Sequence, residues 1–148
     1  MENIIVSACL LGCACRYDGQ SKPDGSVTDL MASGKANLIP VCAEIMGGLP
    51  TPRVPAEIVE GSVIRKDGVD VTAEYTRGAG EVLRLAKLYG CRYAILKENS
   101  PSCGSGKIYD GTFSGRLTDG FGVTASLLSS CGIAVFGESR IGELITLL

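Results

Sequence analysis

The first loop of the sequence is crowded with thiols: Cys9, Cys13 and Cys15 lie within Ser7-Ala8-Cys9-Leu10-Leu11-Gly12-Cys13-Ala14-Cys15-Arg16-Tyr17-Asp18-Gly19. Thiolates are strong nucleophiles and soft metal ligands, so this grouping points to metal binding or sulfur chemistry. Free cysteine is also a small apolar residue often found inside, and that plain reading fits Cys13 best. A second group is Pro40-Val41-Cys42-Ala43-Glu44, followed by Gly47-Gly48 and Pro50-Thr51-Pro52-Arg53. Cys42 and Glu44 share one side if the backbone is extended, and the glycines and prolines make a tight, stiff loop. Taken alone, Glu44 reads as a solvated carboxylate. A third group is Lys97-Glu98-Asn99-Ser100-Pro101-Ser102-Cys103-Gly104-Ser105-Gly106-Lys107. Its end is similar to a phosphate loop but fails as one, because Pro101 replaces the first glycine and Ile108 the final Ser or Thr. What remains is a polar loop with free amides, two serines and a thiol, suited to hydrogen-bonding cluster sulfides. Cys91 and Cys131 follow helix ends beside glycine and read as packing residues.

Composition narrows the chemistry. Among 148 residues there are seven cysteines and no histidine. An odd count without the spacing of a secreted scaffold suits a reducing cytoplasm, where thiols stay free. Without histidine there is no Ser–His or Cys–His pair and no imidazole ligand. Acid–base work falls to a carboxylate, thiol, lysine or tyrosine. A metal would rest on thiolates, as zinc or an iron–sulfur cluster. The net charge of −2 is spread over scattered basic residues, so no nucleic-acid footprint is expected. No apolar run approaches the roughly 20 residues of a membrane helix, and Met1 to Val6 reads as a strand-like entry rather than an export signal.

The elements that must position these groups follow from short apolar runs. Residues 3–7, 37–42, 93–97 and 133–136 read as buried strands, with Pro40 placing the second at an edge. Helices are expected over 27–33, 72–89, 122–130 and 140–147. Residues 58–71 read as an inserted hairpin turning at Lys66-Asp67-Gly68. This alternation predicts one α/β domain over residues 1–148. It is a small Rossmann-like three-layer unit with a mostly parallel sheet of about four strands plus the hairpin. Ligands of such sheets bind beyond the carboxyl ends of the strands, where Cys9, Cys42, Cys103, Glu44 and Glu138 would meet.

The motifs together resemble the thiouracil desulfidase family nearly end to end. The carriers are Ser-Ala-Cys-Leu-Leu-Gly from Ser7, Cys-Arg-Tyr-Asp-Gly from Cys15, Pro-Val-Cys-x-Glu from Pro40 and Gly-Gly-Leu-Pro-Thr-Pro-Arg from Gly47. Pro-Ala-Glu-Ile from Pro55, Leu-Lys-x-x-Ser-Pro-Ser-Cys-Gly from Leu96, Ile-Tyr-Asp-Gly from Ile108 and Gly-Val-Thr-Ala from Gly122 continue it. Two departures are Ala43, where the family commonly has proline, and the extra thiol of Cys13.

The resemblance implies a [4Fe-4S] cluster on Cys9, Cys42 and Cys103 with one iron free of protein, and Cys15 as an alternative ligand. It also implies Glu44 and Ser100 as catalytic residues near the substrate. The expected activity is non-redox desulfuration of a thiolated pyrimidine such as 2-thiouracil, giving the oxo-base and hydrosulfide. A free iron would polarise the thiocarbonyl, Glu44 would act as general base, with its proton affinity raised if the crevice is dry, and Ser100 and Ser102 would orient substrate or water. The competing readings are a thiolate-zinc structural domain, a metal-free persulfide carrier, and a nucleotide-binding module with inert cysteines.

Overall fold

Four parallel strands form the central sheet of the computed structural model, which describes residues 1–148: β1 (Glu2–Ser7), β2 (Ala36–Val41), β5 (Tyr93–Leu96) and β8 (Ala134–Gly137), in the order β2-β1-β5-β8. All four match the apolar runs read from the sequence. Ile4, Ile5 and Val6 in β1 are fully buried, as a strand covered on both faces requires. Pro40 lies in β2 at the sheet edge, where its missing N–H costs no ladder bond.

Two layers of helix cover the sheet. On one face α1 (Gly25–Ser33) and α5 (Ile141–Ile145) bury Val27, Leu30, Ile141 and Leu144 against Ile4 and Ile95. On the other, α3 (Thr72–Leu88) and α4 (Val123–Ser130) bury Val82, Ala86, Ala125 and Leu128 against Ile5, Ala94 and Leu96. Each fully buried aliphatic side chain contributes about 1.5–3 kcal/mol. Asp24 starts α1 by accepting the N–H groups of Ser26 and Val27, and Gly34 ends it at φ 71°.

The connections leaving β1 and β5 part in opposite directions along the sheet, so their carboxyl ends open a crevice at the switch point. The loops carrying Cys9 and Cys103 start there.

Three expectations change. The inserted hairpin pairs β3 (Ala56–Val59) with β4 (Ser62–Arg65) and turns at Glu60-Gly61, both at positive φ. Two successive left-handed residues are what a two-residue hairpin turn needs. Lys66-Asp67-Gly68 instead folds the chain back after β4, with Arg65 N–H donating to the Val69 carbonyl. A second hairpin, β6 (Ser105–Tyr109) with β7 (Leu117–Phe121), begins at the end of the polar loop read over residues 97–107 and continues through residues given no element. The closing helix spans only Ile141–Ile145, after a 3-10 turn at Glu138–Arg140.

Candidate active site

A cavity of about 380 Å³ opens beyond the carboxyl ends of the strands. Cys9, Cys15, Cys42 and Cys103 line it together with Glu44 and Ser100. Residues more than 90 positions apart in sequence thus share one wall.

Each thiol is placed by a different device. Cys9 sits in the 3-10 turn Ala8–Leu11 that continues β1; its carbonyl accepts the N–H groups of Gly12 and Lys22 at 3.2 and 3.0 Å. Cys42 is the extended N-cap residue of α2 (Ala43–Met46), and Glu44 lies in that helix's first turn. The two share the cavity through this strand-to-helix bend, and not through an extended backbone as the spacing suggested. The bend is set by backbone contact between α2 and α3. A Cβ on Gly78 would lie 1.8 Å from the Ala43 carbonyl oxygen, and one on Gly47 would lie 2.0 Å from that of Glu74. Only glycine at both positions lets the helices meet so closely.

Cys103 rides a loop clamped at both ends. The Ser100 hydroxyl oxygen accepts the N–H groups of Ser102 and Cys103 at 3.1 and 3.0 Å. The loop then docks on the start of α4, where Val123 and Thr124 donate to the carbonyls of Pro101 and Ser102. A Cβ on Gly122 would stand 2.4 Å from the Ser102 carbonyl carbon. Ser102 itself is buried, its hydroxyl 2.8 Å from that of Thr124, and it does not line the cavity. Its expected role toward substrate gives way to a structural one. Ser100 keeps a hydroxyl proton free to donate.

Glu44 is held at both oxygens. Arg53 donates from Nε at 2.7 Å and from Nη2 to Oε2, and the Tyr75 hydroxyl donates to Oε1 at 3.1 Å. The carboxyl group therefore has a guanidinium beside one oxygen and a hydroxyl donor on the other. Arg53 also donates to the carbonyls of Cys15 and Pro50 at 2.9 and 3.2 Å. Burial, then the Glu44 charge, pushes the Tyr75 phenol far above its usual range, so it serves as a neutral donor. Neither Arg53 nor Tyr75 was assigned a role from sequence. Arg53 ends the Pro50-Thr51-Pro52 loop, which signals a fixed geometry, whereas Tyr75 looks like any core aromatic of α3.

The thiols resist ionisation. Burial raises Cys103 to about 12, against the Ser7 hydroxyl facing it, which lowers it. Cys15 adjoins Cys42, a contact that lowers it, but Cys9 and burial raise it to about 11 overall. The hydrogen bond with Cys15, followed by burial, raises Cys42 well above the usual thiol range. Thiols in such surroundings become thiolates only beside a strong cationic partner. No three thiol or carboxylate groups converge closely enough to grip a single ion.

The remaining expectations sort by exposure. Cys13 and Cys131 are exposed, so the buried packing read for both is corrected; each sits at a turn beside a chain reversal. Cys91 is buried among Val82, Ala86 and Ile133, as expected. Glu138 does not line the cavity but pairs with Lys97, Nζ to Oε2 at 3.0 Å, while Lys97 does line it. The outer wall brings Tyr17, Tyr109 and Phe113. Buried Glu57 fixes Phe113 there by accepting the N–H groups of Gly111 and Phe113 at 2.9 and 3.1 Å.

The sequence model of the 2-thiouracil desulfurase family matches residues 4–140. The chain is 42% identical over 152 residues to the uncharacterized protein YbbK of Bacillus subtilis (strain 168), covering 96% of this chain and 99% of that one. A solved structure described as the [4Fe-4S]-dependent thiouracil desulfidase TudS is 49% identical and superposes with a TM-score of 0.91, with both chains covered fully.

Proposed function

The chain belongs to the 2-thiouracil desulfurase family, and from that membership and the cavity chemistry we propose that it is a desulfidase. It removes sulfur from a thiolated pyrimidine such as 2-thiouracil, without net redox change, to give the oxo-base and hydrosulfide. The observation that carries the reading is the meeting of Cys9, Cys42, Cys103 and Glu44 at one cavity from three separate segments.

A [4Fe-4S] cluster fits the residues present. The donor set is soft thiol without imidazole, which suits iron–sulfur ligation. The sequence lacks the Cys-x-x-Cys pairs expected of a structural zinc site, which disfavours that alternative. We assign Cys9, Cys42 and Cys103 as its ligands, leaving one iron without a protein ligand. When bound, the cluster supplies a Lewis-acidic iron for the thiocarbonyl sulfur.

The chain's own residues do the rest. Glu44 receives a proton from the attacking water, with Arg53 fixing Oε2 and Tyr75 donating to Oε1. Ser100 holds the Cys103 loop and turns its remaining proton toward substrate or water. Tyr17, Tyr109 and Phe113 provide flat apolar walls suited to a planar base and limit water entry. We read residues 1–148 as one domain acting in the cytoplasm, where reduction keeps thiols available for iron. No helix is long and apolar enough to cross a membrane.

The test is an anaerobic assay of cluster-loaded protein with 2-thiouracil. Loss of thiocarbonyl absorbance with matching hydrosulfide release is expected. A loaded protein that leaves the thiocarbonyl intact refutes the assignment, and full activity in iron-free protein points to the persulfide alternative.

A further inference from the structure

Glu57 puts a carboxyl group where one is costly. It lies in β3, is 8% exposed and lines the cavity. Such a group is tolerated inside only with hydrogen-bond partners. Its Oε1 accepts two N–H groups, and both come from the loop that joins β6 to β7: Gly111 at 2.9 Å and Phe113 at 3.1 Å. That loop is closed at its base, where the Asp110 N–H donates to the Arg116 carbonyl at 2.9 Å. It also seats directly on β3, since a Cβ on Gly111 would stand 2.7 Å from the Ile58 carbonyl oxygen. Phe113 holds a left-handed backbone at φ 56°. Its neighbours Thr112 and Ser114 are exposed, whereas Phe113 is half-buried and lines the cavity.

Resting on the desulfidase reading above, we infer that Glu57 is a positioning residue for substrate. It latches residues 110–116 as a flap, so that Phe113 supplies the face on which the thiolated ring stacks. The backbone argues for this first. A bulky residue at positive φ is an outlier that persists only where its surroundings impose it, and such outliers gather at ligand clamps. Here the imposing contact is the Glu57 carboxyl, bonded to the N–H of Phe113 itself. A plain hairpin turn needs neither a buried carboxyl nor an aromatic at its left-handed position, where glycine serves without strain.

The position of the flap argues for it second. Phe113 shares the cavity with the thiols and with Glu44, so a ring held against it lies in the same space as the reacting groups. An aromatic face binds any flat heterocycle by stacking, without reading its edge. The latch therefore makes ring flatness a requirement for tight binding, separate from recognition of the sulfur.

The experiment compares cluster-loaded wild type with Glu57→Ala, Glu57→Gln, Phe113→Ala and Phe113→Gly. It reads steady-state kinetics with 2-thiouracil, hydrogen exchange by mass spectrometry, and thermal melting. Phe113→Ala is expected to raise KM about 5- to 150-fold, the range that base–aromatic stacking spans, with a smaller fall in kcat. Glu57→Ala should raise KM in the same direction and speed exchange within residues 110–116 alone. Glu57→Gln keeps an acceptor oxygen and should recover much of both losses. Phe113→Gly should melt above Phe113→Ala, because glycine relieves the left-handed backbone. Should Glu57→Ala fail to fold, the two Phe113 variants, which leave the carboxyl in place, decide the matter. A wild-type KM in Phe113→Ala overturns the inference, as does wild-type exchange of the flap in folded Glu57→Ala. Loaded wild type that leaves 2-thiouracil intact overturns the desulfidase reading and the stacking role together; active wild type with either of the preceding results overturns this inference alone.

Discussion

Arg53 grips Glu44 by a single oxygen: Nε and Nη2 both donate to Oε2, and Nη2 also reaches the Cys15 carbonyl at 2.9 Å. The side chains are 6% and 14% exposed, so the pair is largely shielded from water. Removing one partner leaves the other charge unpaired in a largely shielded site. Arg53→Gln is expected to cost about 2–5 kcal/mol of stability, read as a lower urea midpoint. A change within about 0.5 kcal/mol, the range of ordinary surface substitutions, would show that solvent already supports Glu44.

Glu44→Gln keeps the shape and an acceptor for Arg53 but removes the proposed base. Iron per chain should match wild type while kcat for sulfide release falls about 10²–10⁴-fold, the usual contribution of a positioned general base. Turnover at the wild-type rate in that variant would remove Glu44 from proton transfer.

Two glycines make a contrast. A Cβ at Gly122 meets the Ser102 carbonyl carbon at 2.4 Å, whereas one at Gly142 meets nothing within 4 Å. Gly122→Ala must push the Cys103 loop away, at about 1–3 kcal/mol, and should lower iron retention. Gly142→Ala, within α5, should instead stabilise by about 0.5–1 kcal/mol with iron unchanged. Equal melting temperatures for the two variants would contradict the close docking of that loop on α4.

Thiol labelling reads the cysteine environments directly. Peptide mapping of native cluster-free protein after brief alkylation should find Cys13 and Cys131 modified first and the buried Cys9, Cys15 and Cys91 late. Burial raises the Cys91 thiol above its ordinary range. The native state gains from this group fully below about pH 8.5, and the gain shrinks as pH climbs toward the raised value. Cys91→Ala should therefore lose less stability than wild type between neutral and alkaline pH. Early labelling of Cys91 would place it outside the core.

The strands and the cysteine rim were legible because each rests on a local cue. Short β-branched runs mark buried parallel strands, and a strand end tells which rim its following residue joins. Pro40 even marked the edge. Cues that compete locally misled. Lys66-Asp67-Gly68 outbid Glu60-Gly61 as the hairpin turn, although only the latter puts two left-handed residues between paired strands. The β6–β7 hairpin was hidden because its strands carry Gly106, Lys107, Asp119 and Gly120 and bury little. Arg53 and Tyr75 were invisible for another reason: their partner Glu44 lies 9 and 31 residues away, and no local pattern encodes that pairing. Cys13 and Cys131 read as buried because the residue type favours the interior, while their places at turns turn them outward.

Mössbauer spectroscopy of protein anaerobically reconstituted with iron-57 tests the central claim most directly. Three cysteine ligands on a four-iron core predict about four irons per chain, with roughly one quarter of the signal distinct from the rest and shifting alone when 2-thiouracil is added. Four equivalent irons that ignore the substrate, or a spectrum without a four-iron core, would contradict the account.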